Sequence, residues 1–164
     1  MAMENGVNLA QQIGDLLRQR GLTLGVVESA TGGLISHRIT GVPGSSGYYK
    51  GSIISYSNEV KVRLVGVSEA TIRRYGAVSP QVAEEMAAGG RKTLGVDICL
   101  ADTGIAGPDG AVPGKPVGRF YLGMSHKSGN GSRQHDFSGD REQNKHRAAE
   151  AALAWLREYL LSLK

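Results

Sequence analysis

Cysteine, aromatic side chains and long apolar runs are all scarce in this chain of 164 residues. Its one cysteine, Cys99, stands in an apolar stretch and is expected to be buried, which excludes an internal disulfide and a cysteine-based metal site. No apolar run approaches the roughly 20 residues that a membrane span requires. The first residues also lack the apolar segment of a signal peptide. We therefore expect a cytoplasmic protein that does not bind membranes.

Concentrated charge and aromatic stacking surfaces are missing as well. The net charge is +4, but lysine and arginine are spread along the chain, and aromatic residues make up only 5% of it. A nucleic-acid surface typically needs a basic cluster or stacked aromatic rings, so direct nucleic-acid binding is not expected. An enzyme with a small anionic substrate is the better interpretation of this composition.

Residue patterns for metals and common cofactors are also missing. The four histidines are His37, His126, His135 and His146. Their spacing does not fit a metal site, and none of them has a place in a Ser-His-Asp triad. The glycine-rich segment 104–110 lacks the Gly-Lys-Ser/Thr ending of a P-loop and the frame of a dinucleotide fingerprint. We expect neither a metal nor a cofactor.

Glycine is abundant, at 24 residues, and helical periodicity alternates with short apolar strands. The length predicts one domain over residues 1–164. Strands are predicted at 23–27, 51–57, 96–101, 117–125 and 133–137, and helices at 7–20, 33–40, 59–65, 69–74, 80–94 and 141–163. The pattern predicts an α/β fold, namely a three-layer α/β/α domain with a mixed, mostly parallel sheet of about five strands.

Capping residues indicate where several helices begin. The predicted N-caps are Asn58, Ser68, Ser79 and Asp140, and Gln143 completes a capping box with Asp140. On the last helix, the stripe predicted to face the core is Ala148, Ala152, Trp155, Tyr159 and Leu163.

A short run at residues 28–33, Glu-Ser-Ala-Thr-Gly-Gly, carries the strongest chemical signal. It follows a predicted strand and precedes a predicted helix, so its backbone N–H groups are expected to point at one spot that suits an anion or an oxyanion. The hydroxyl of Ser29 is then either a nucleophile or only a helix cap.

Three later segments end strands of the predicted sheet and are expected to meet this turn at its carboxyl edge. Lys61, one turn into its helix, is either a base beside Ser29 or a solvated lysine. The loop 103–110 either approaches a ligand or forms a plain turn. Arg141, with Lys145 on the same helical face, either holds a phosphate or carboxylate or belongs to an ordinary first turn.

Seven motifs occur in an order that resembles one known family. They are 28–33 (ESATGG), 43–46 (PGSS), 56–61 (YSNEVK), 76–79 (GAVS), 103–108 (TGIAGP), 115–118 (KPVG) and 137–141 (FSGDR). Together they resemble the C-terminal domain of CinA, the competence/damage-inducible protein family, over about residues 7–160. Larger members of that family carry a further N-terminal domain, so we expect this chain to be a stand-alone version.

The resemblance implies a nicotinamide mononucleotide amidohydrolase that uses serine and lysine without a metal. It implies Ser29 and Lys61 as the reactive pair, and Tyr56, Thr103 and Arg141 as further polar residues of the site. Tyr56 and Thr103 are therefore placed with the catalytic pair, with Tyr56 either orienting Lys61 or stacking on the substrate ring.

Substrate contacts are expected around this pair. N–H groups after Ser29 are expected to hold the oxyanion, and serines of the 43–46 loop with Arg141 are expected to hold the phosphate. The expected substrate-binding residues are Thr31, Gly32, Gly33, Ser45, Ser46, Gly104, Gly107 and Arg141.

The alternative hypothesis is a non-catalytic module that binds nucleotides or serves as a partner in recombination or competence. A pure binding module needs neither Ser29 nor Lys61, which distinguishes the two hypotheses. In either case the expected partner is a small molecule, and we expect a homodimer or a higher homo-oligomer.

Overall fold

A computed structural model describes residues 2–164, with side chains from Leu9 onward. The strands are β1 (Leu24–Glu28), β2 (Tyr49–Ile54), β3 (Ile98–Gly104), β4 (Arg119–His126) and β5 (Gly129–Asp136). The helices are α1 (Ala2–Arg20), α2 (Leu34–Thr40), α3 (Asn58–Val65), α4 (Glu69–Tyr75), α5 (Pro80–Leu94) and α6 (Arg141–Ser162), with a 3-10 turn at Ser45–Gly47. None of the described helices is long and apolar enough to cross a bilayer.

The five strands form one mixed sheet in the order β2-β1-β3-β4-β5. β1 pairs in parallel with β2 and with β3, whereas β4 pairs antiparallel with β3 and with β5. Four strands therefore run in one direction and β4 runs against them. The carboxyl ends of β1, β2 and β3 lie side by side, which brings the segments that follow them to one edge.

Helices cover both faces of the sheet, so the predicted three-layer α/β/α architecture is confirmed. Successive strand residues point to opposite faces: Val26 and Leu100 pack under α1, α2 and α6, and Val27 and Cys99 pack under α5. Burial raises the pKa of the Cys99 thiol to about 12, so this thiol stays protonated and serves as a small apolar side chain.

Helix α5 packs closely against the sheet because residue 90 is a glycine and has no side chain. A Cβ at Gly90 would come within 2.2 Å of the Val27 side chain and 2.8 Å of the Cys99 sulfur. A larger residue would push α5 away from β1 and β3. The glycine at position 90 therefore permits the close approach of α5 to the sheet.

Several predicted boundaries differ from the structure. β2 begins at Tyr49 and ends at Ile54, and the N-cap of α3 is Ser57 rather than Asn58. Ser57 has extended backbone angles and its hydroxyl accepts from the Val60 N–H, whereas Asn58 is already helical. β5 begins at Gly129, because all eight of its residues pair with β4 in a hairpin.

The last helix begins as predicted, with a capping box between Asp140 and Gln143. Its buried stripe is shifted around the helix from the predicted one. Trp155, Tyr159 and Leu163 are only partly buried and flank the core. The buried residues include Ala148, Ala149, Ala152, Leu153, Leu156 and Leu160.

Candidate active site

A cavity of about 300 Å³ opens at the carboxyl edge of the sheet. Its volume is at the small end for a small-molecule site. The lining comes from the ends of β1 and β3, from α3, and from the start of α6. The polar and charged residues that line it are Ser29, Tyr56, Asn58, Lys61, Thr103, Asp109 and Arg141.

Ser29 and Lys61 meet at the floor of this cavity. The Lys61 Nζ atom lies 3.0 Å from Ser29 Oγ, although the two residues are 32 positions apart. Ser29 follows β1 directly, and Lys61 stands on the buried face of α3. Only 2% of Lys61 is exposed, so the reading of this residue as a solvated helix lysine does not hold.

Lys61 is held by backbone oxygens and not by a carboxylate. Its Nζ atom lies 2.8 Å from the Ser55 carbonyl oxygen and 3.0 Å from that of Tyr56. A neutral amine has two N–H donors and one lone pair. In the ammonium form of Lys61 the third N–H donates to Ser29 Oγ; in the neutral form the two carbonyl oxygens accept both donors and the lone pair faces the Ser29 hydroxyl.

Burial lowers the pKa of Lys61, because the ammonium form loses its hydration inside the protein. A smaller opposing effect comes from the charge of Asp102, which raises this pKa. The geometry and the direction of the pKa shift both favour a lysine that can accept a proton from Ser29.

The N–H groups of the turn after Ser29 are mostly engaged by the protein itself. The Gly33 N–H donates to Glu28, the Thr31 N–H donates to Asp102, and the Gly32 N–H donates to the Ser29 carbonyl. The prediction that these groups hold a substrate anion is wrong. The N–H groups at the start of this helix instead donate to two buried carboxyl groups of the chain itself, those of Glu28 and Asp102.

One N–H group of the turn stays available. The Ala30 N–H donates to no acceptor among the described residues, and Ala30 lines the cavity beside Ser29. A backbone donor next to a nucleophilic serine is the usual component of an oxyanion hole. Of the backbone N–H groups predicted to bind the oxyanion, the Ala30 N–H is therefore the one that remains available.

Thr31 does not reach the cavity. Its hydroxyl lies between two carboxyl oxygens, 2.6 Å from Glu28 Oε2 and 2.5 Å from Asp102 Oδ1, and 1% of the residue is exposed. The prediction of Thr31 as a substrate-binding residue is wrong, because its side chain points beneath the turn and not out of it.

Tyr56 and Arg141 form the rim of the cavity. Arg141 donates to the Gly107 carbonyl at 2.6 Å and to the Tyr56 hydroxyl at 3.3 Å. Tyr56 is 63% exposed, so its ring is open to solvent above the reactive pair. Gly107 thus takes part through its carbonyl oxygen, which orients the guanidinium group. Lys145 lies on the same helix but pairs with Glu142, 3.8 Å away.

Thr103 and Gly104 line the cavity from the end of β3. The Thr103 hydroxyl donates to the Ala77 carbonyl at 2.8 Å, which leaves its oxygen lone pairs as acceptors toward the cavity. A Cβ at Gly104 would come within 2.4 Å of the Phe120 ring. Packing against Phe120 therefore accounts for the glycine at this position.

Ser45 and Ser46 lie away from the site. They precede Tyr49, which pairs with Leu24 at the start of β1, whereas Ser29 follows the end of β1. The length of β1 separates the two sheet edges by about 17 Å. Within one copy of this chain, Ser45 and Ser46 therefore stand at the amino edge of the sheet and do not reach the cavity beside Ser29, and their role in holding a phosphate stays a prediction.

Nearly the whole chain is similar to known proteins. Residues 7–160 match the CinA C-terminal domain. The chain belongs to the CinA C-terminal domain family. The family predicted from the seven motifs is thereby confirmed.

Related sequences match nearly the whole chain but only part of themselves. A CinA-like protein of Salinibacter ruber is 49% identical over 154 residues, which cover 94% of this chain and 37% of that protein. A CinA-like protein of Geotalea uraniireducens is 44% identical over 161 residues, which cover 98% and 38%. This chain therefore spans less than two fifths of the length of these CinA-like relatives.

Solved structures of the CinA superfamily share the fold. The crystal structure of competence damage-inducible protein A (ComA) from Klebsiella pneumoniae has a TM-score of 0.94 at 28% identity, covering 97% of this chain and 99% of that one. The competence or damage-inducible protein from Enterobacter asburiae has a TM-score of 0.92 at 32% identity, covering 94% and 98%.

Three polar residues of this CinA-family site were not predicted as site residues from the sequence. Asn58 and Asp109 line the cavity, and Asp102 supports the turn from below. Asp102 carries a signal that could have found it, since it is an ionisable residue at the end of a buried apolar strand. Within the described residues, no three His, Cys, Asp or Glu side chains are arranged to hold a metal ion.

Proposed function

We propose that this CinA-family chain is a nicotinamide mononucleotide amidohydrolase. It would convert the ring carboxamide of nicotinamide mononucleotide and water to nicotinate mononucleotide and ammonia. The observation that carries the proposal is the buried contact of 3.0 Å between Lys61 Nζ and Ser29 Oγ at the floor of the cavity. A module that only binds nucleotides has no need of a desolvated amine against a serine hydroxyl.

In the first step, Ser29 Oγ attacks the carboxamide carbon while its proton passes to the neutral amine of Lys61. The carbonyl oxygen becomes an oxyanion, for which the Ala30 N–H is the nearby backbone donor. Removing one such donor from an enzyme typically costs about 3–4 kcal/mol in the barrier. The resulting Lys61 ammonium is surrounded by the Ser55 and Tyr56 carbonyls, which stabilise its charge.

In the second step, the Lys61 ammonium returns its proton to the carboxamide nitrogen. The C–N bond breaks, ammonia leaves, and a nicotinoyl ester of Ser29 remains. A water molecule then attacks this ester while Lys61 accepts one of its protons. The C–O bond to Ser29 breaks as Lys61 returns that proton to Ser29 Oγ, and the released carboxylic acid loses its proton to solvent to become the carboxylate. The same lysine thus serves as base, acid, base and acid in turn, and the cycle ends with the neutral amine and the serine hydroxyl restored.

Charge at the rim of the cavity suits this substrate. The mononucleotide carries an anionic phosphate and a cationic pyridinium ring, and the cavity is lined by the Arg141 cation and the Asp109 carboxylate. Arg141 can bind phosphate oxygens while Gly107 orients it, and Asp109 can offset the charge of the ring. The exposed ring of Tyr56 offers a stacking surface for the pyridinium.

The test is ammonia release by the purified chain with nicotinamide mononucleotide, nicotinamide riboside and free nicotinamide. We expect turnover to be fastest with the mononucleotide, and a nicotinoyl adduct on Ser29 to be detected by mass spectrometry after rapid acid quench. Lys61→Met is the matched control, since it keeps the apolar stem and removes the amine. Tight mononucleotide binding without ammonia release would instead support the non-catalytic module.

A further inference from the structure

Two sequence motifs that the proposed mechanism does not use meet beside the cavity. They are the segments 76–79 (Gly-Ala-Val-Ser) and 115–118 (Lys-Pro-Val-Gly). The Lys115 Nζ atom lies 2.5 Å from the Tyr75 carbonyl oxygen, although the two residues are 40 positions apart. Tyr75 is the last residue of α4, where carbonyl groups have no partner within the helix. Lys115 therefore caps the end of this helix from a distant loop.

The contact depends on the glycine that follows Tyr75. Gly76 has a φ of 81°, which residues with a side chain rarely adopt, and a Cβ at this position would lie 2.9 Å from Lys115 Nζ. The glycine both turns the chain after α4 and leaves room for the amine. The glycine of one motif therefore makes space for the lysine of the other.

Each of the two joined segments supplies one side of the cavity. Ala77 and Val78 line it from the connection between α4 and α5. Gly107 and Asp109 line it from the loop 105–118, to which Lys115 belongs. The contact of Lys115 with the end of α4 therefore joins two walls of the same cavity.

The tip of this loop has few other attachments. Residues 108–114 are all exposed. Within the described part of the chain, the backbone hydrogen bonds of this tip are the two between Val112 and Lys115, at 2.9 and 3.1 Å. Arg119 adds a side-chain bond of 3.3 Å to the Gly114 carbonyl. A segment with so few buried contacts opens at low free-energy cost, so the Lys115 contact is a large part of what holds it.

We propose that Lys115 is a positioning residue that ties the loop 105–118 to the segment 76–79 and so fixes the loop side of the cavity before substrate binds. The catalytic consequence rests on the proposed function, in which Gly107 of this loop orients Arg141 toward the phosphate. A loop that is already ordered adds no ordering cost to binding. Lys115 lies outside the cavity lining, so its effect falls on substrate binding and not on the reactive pair.

The first test is hydrogen exchange of the Val112 and Lys115 amides, followed by NMR in the full chain without substrate. Lys115→Met keeps the apolar stem and removes the amine, and it should speed exchange at Val112 by about fivefold or more. Lys115→Arg keeps a cationic donor and should stay within about twofold of the original chain. Lys127→Met, in the turn between β4 and β5, is the matched control and should change nothing. Unchanged exchange with Lys115→Met would overturn the inference.

Kinetics provide the second readout. Lys115→Met should raise KM for nicotinamide mononucleotide by about fivefold and change kcat by less than about twofold, because Ser29 and Lys61 keep their contact. Lys115→Arg should restore most of the KM. An unchanged KM, or a loss confined to kcat, would count against the inference. A fall in melting temperature without faster exchange at Val112 would assign Lys115 to general stability and overturn the positioning role.

The inference and the proposed function fail in different ways. The exchange experiment needs no turnover, and mononucleotide binding can be measured calorimetrically in a Ser29→Ala background. A chain that releases no ammonia, yet shows a looser loop and weaker binding with Lys115→Met, loses the proposed function and keeps this inference. A chain that releases ammonia with the same KM and the same loop exchange in Lys115→Met retains the function and loses the inference. If Lys115→Met does not fold, Lys115→Gln repeats both measurements with a neutral donor on a shorter stem.

Discussion

An aspartate lies near each end of β3, and each of the two accepts hydrogen bonds from residues at one end of β1. We call these two sets of hydrogen bonds the Asp97 clasp and the Asp102 clasp. Asp97, just before β3, accepts from the Thr23 N–H at 2.8 Å and from the Thr23 hydroxyl at 2.9 Å. Asp102, near the other end, accepts from the Ser29 N–H at 3.0 Å and is contacted by the Thr31 hydroxyl. The two clasps use the same groups at opposite edges of the sheet.

Their surroundings differ. Asp97 is exposed, and its own N–H donates back to the Thr23 hydroxyl. The hydrogen bonds between Asp97 and Thr23 are therefore mutual and open to water. Asp102 is fully buried, and its clasp leaves the Ser29 hydroxyl facing Lys61. The Asp97 clasp anchors the start of β1 where water can reach it. The Asp102 clasp holds Ser29 in the protein interior, where burying a charge is costly. The two aspartates make similar hydrogen bonds but differ in burial. The exposed Asp97 only anchors a strand, whereas the buried Asp102 also supports the site.

The largest expected effect is on turnover. Ser29→Ala and Lys61→Met should each lower kcat by more than about 1,000-fold, which is about 4 kcal/mol. The double variant should be hardly slower than either single one, because the two groups act as a unit. Steady-state ammonia release measures this.

Thr23→Ala, which removes the matching hydroxyl of the Asp97 clasp, should leave the rate unchanged. A Ser29→Ala variant that keeps more than about a tenth of the rate has lost less than about 1.4 kcal/mol, too little for a nucleophile. Ser29 would then be assigned to the turn alone. Thermal melts of each variant separate loss of chemistry from loss of fold.

Stability should separate the two aspartates. Asp102→Ala leaves two buried N–H groups without an acceptor and should lower the free energy of unfolding by about 3 kcal/mol or more. Asp97→Ala should cost about 1 kcal/mol, since water can reach the freed groups. Urea denaturation followed by circular dichroism measures both. Equal losses would show that burial does not distinguish the clasps.

The Asp102 clasp should also depend on pH. Its pKa is raised to about 6, so the folded chain binds a proton that the unfolded chain releases between about pH 4 and 6. Stability from this group is therefore present at low pH and lost as pH rises through 6. Acidification from pH 7 to 4 should stabilise the chain with Asp102 by about 2–3 kcal/mol relative to Asp102→Asn.

This comparison is best made in a Lys61→Met background. The lowered pKa of Lys61 acts in the opposite sense, because the unfolded chain then binds more protons and stability rises with pH. Removing the amine isolates the carboxyl group. Parallel stability curves for the two chains would contradict the raised pKa of Asp102.

The smallest expected effect concerns two arginines that bind backbone carbonyls at the two edges. Arg141 donates to Gly107 beside the cavity, and Arg91 donates to Asp97 at the other edge. Arg141→Ala should lower kcat/KM for the mononucleotide by about 10- to 150-fold, or about 1.5–3 kcal/mol, through a lost charge-assisted bond.

The riboside, which lacks the phosphate, should lose much less with Arg141→Ala. Arg91→Ala should change neither substrate. Equal losses on mononucleotide and riboside would show that Arg141 does not bind the phosphate, and the proposal would then need another phosphate site.

Local signals in the sequence determined most of the fold. The period of apolar residues predicted the strands and helices, and Ser79, Asp140 and Gln143 marked helix starts that the structure confirms. These features depend on residues within a few positions of one another. The same locality explains the errors: Ser57 and Asn58 are both good caps, and only the end of β2 decides between them.

Only the tertiary structure decided which groups meet at the site. The turn 28–33 reads as an empty anion site in the sequence, because its N–H groups can be counted but their acceptors cannot. Folding brings Asp102, more than 70 residues away, beneath the turn and fills it, while Ser45 is carried to the far edge of the sheet. Strand direction and burial are properties of the whole sheet, and they set both the partners of a side chain and the cost of its charge.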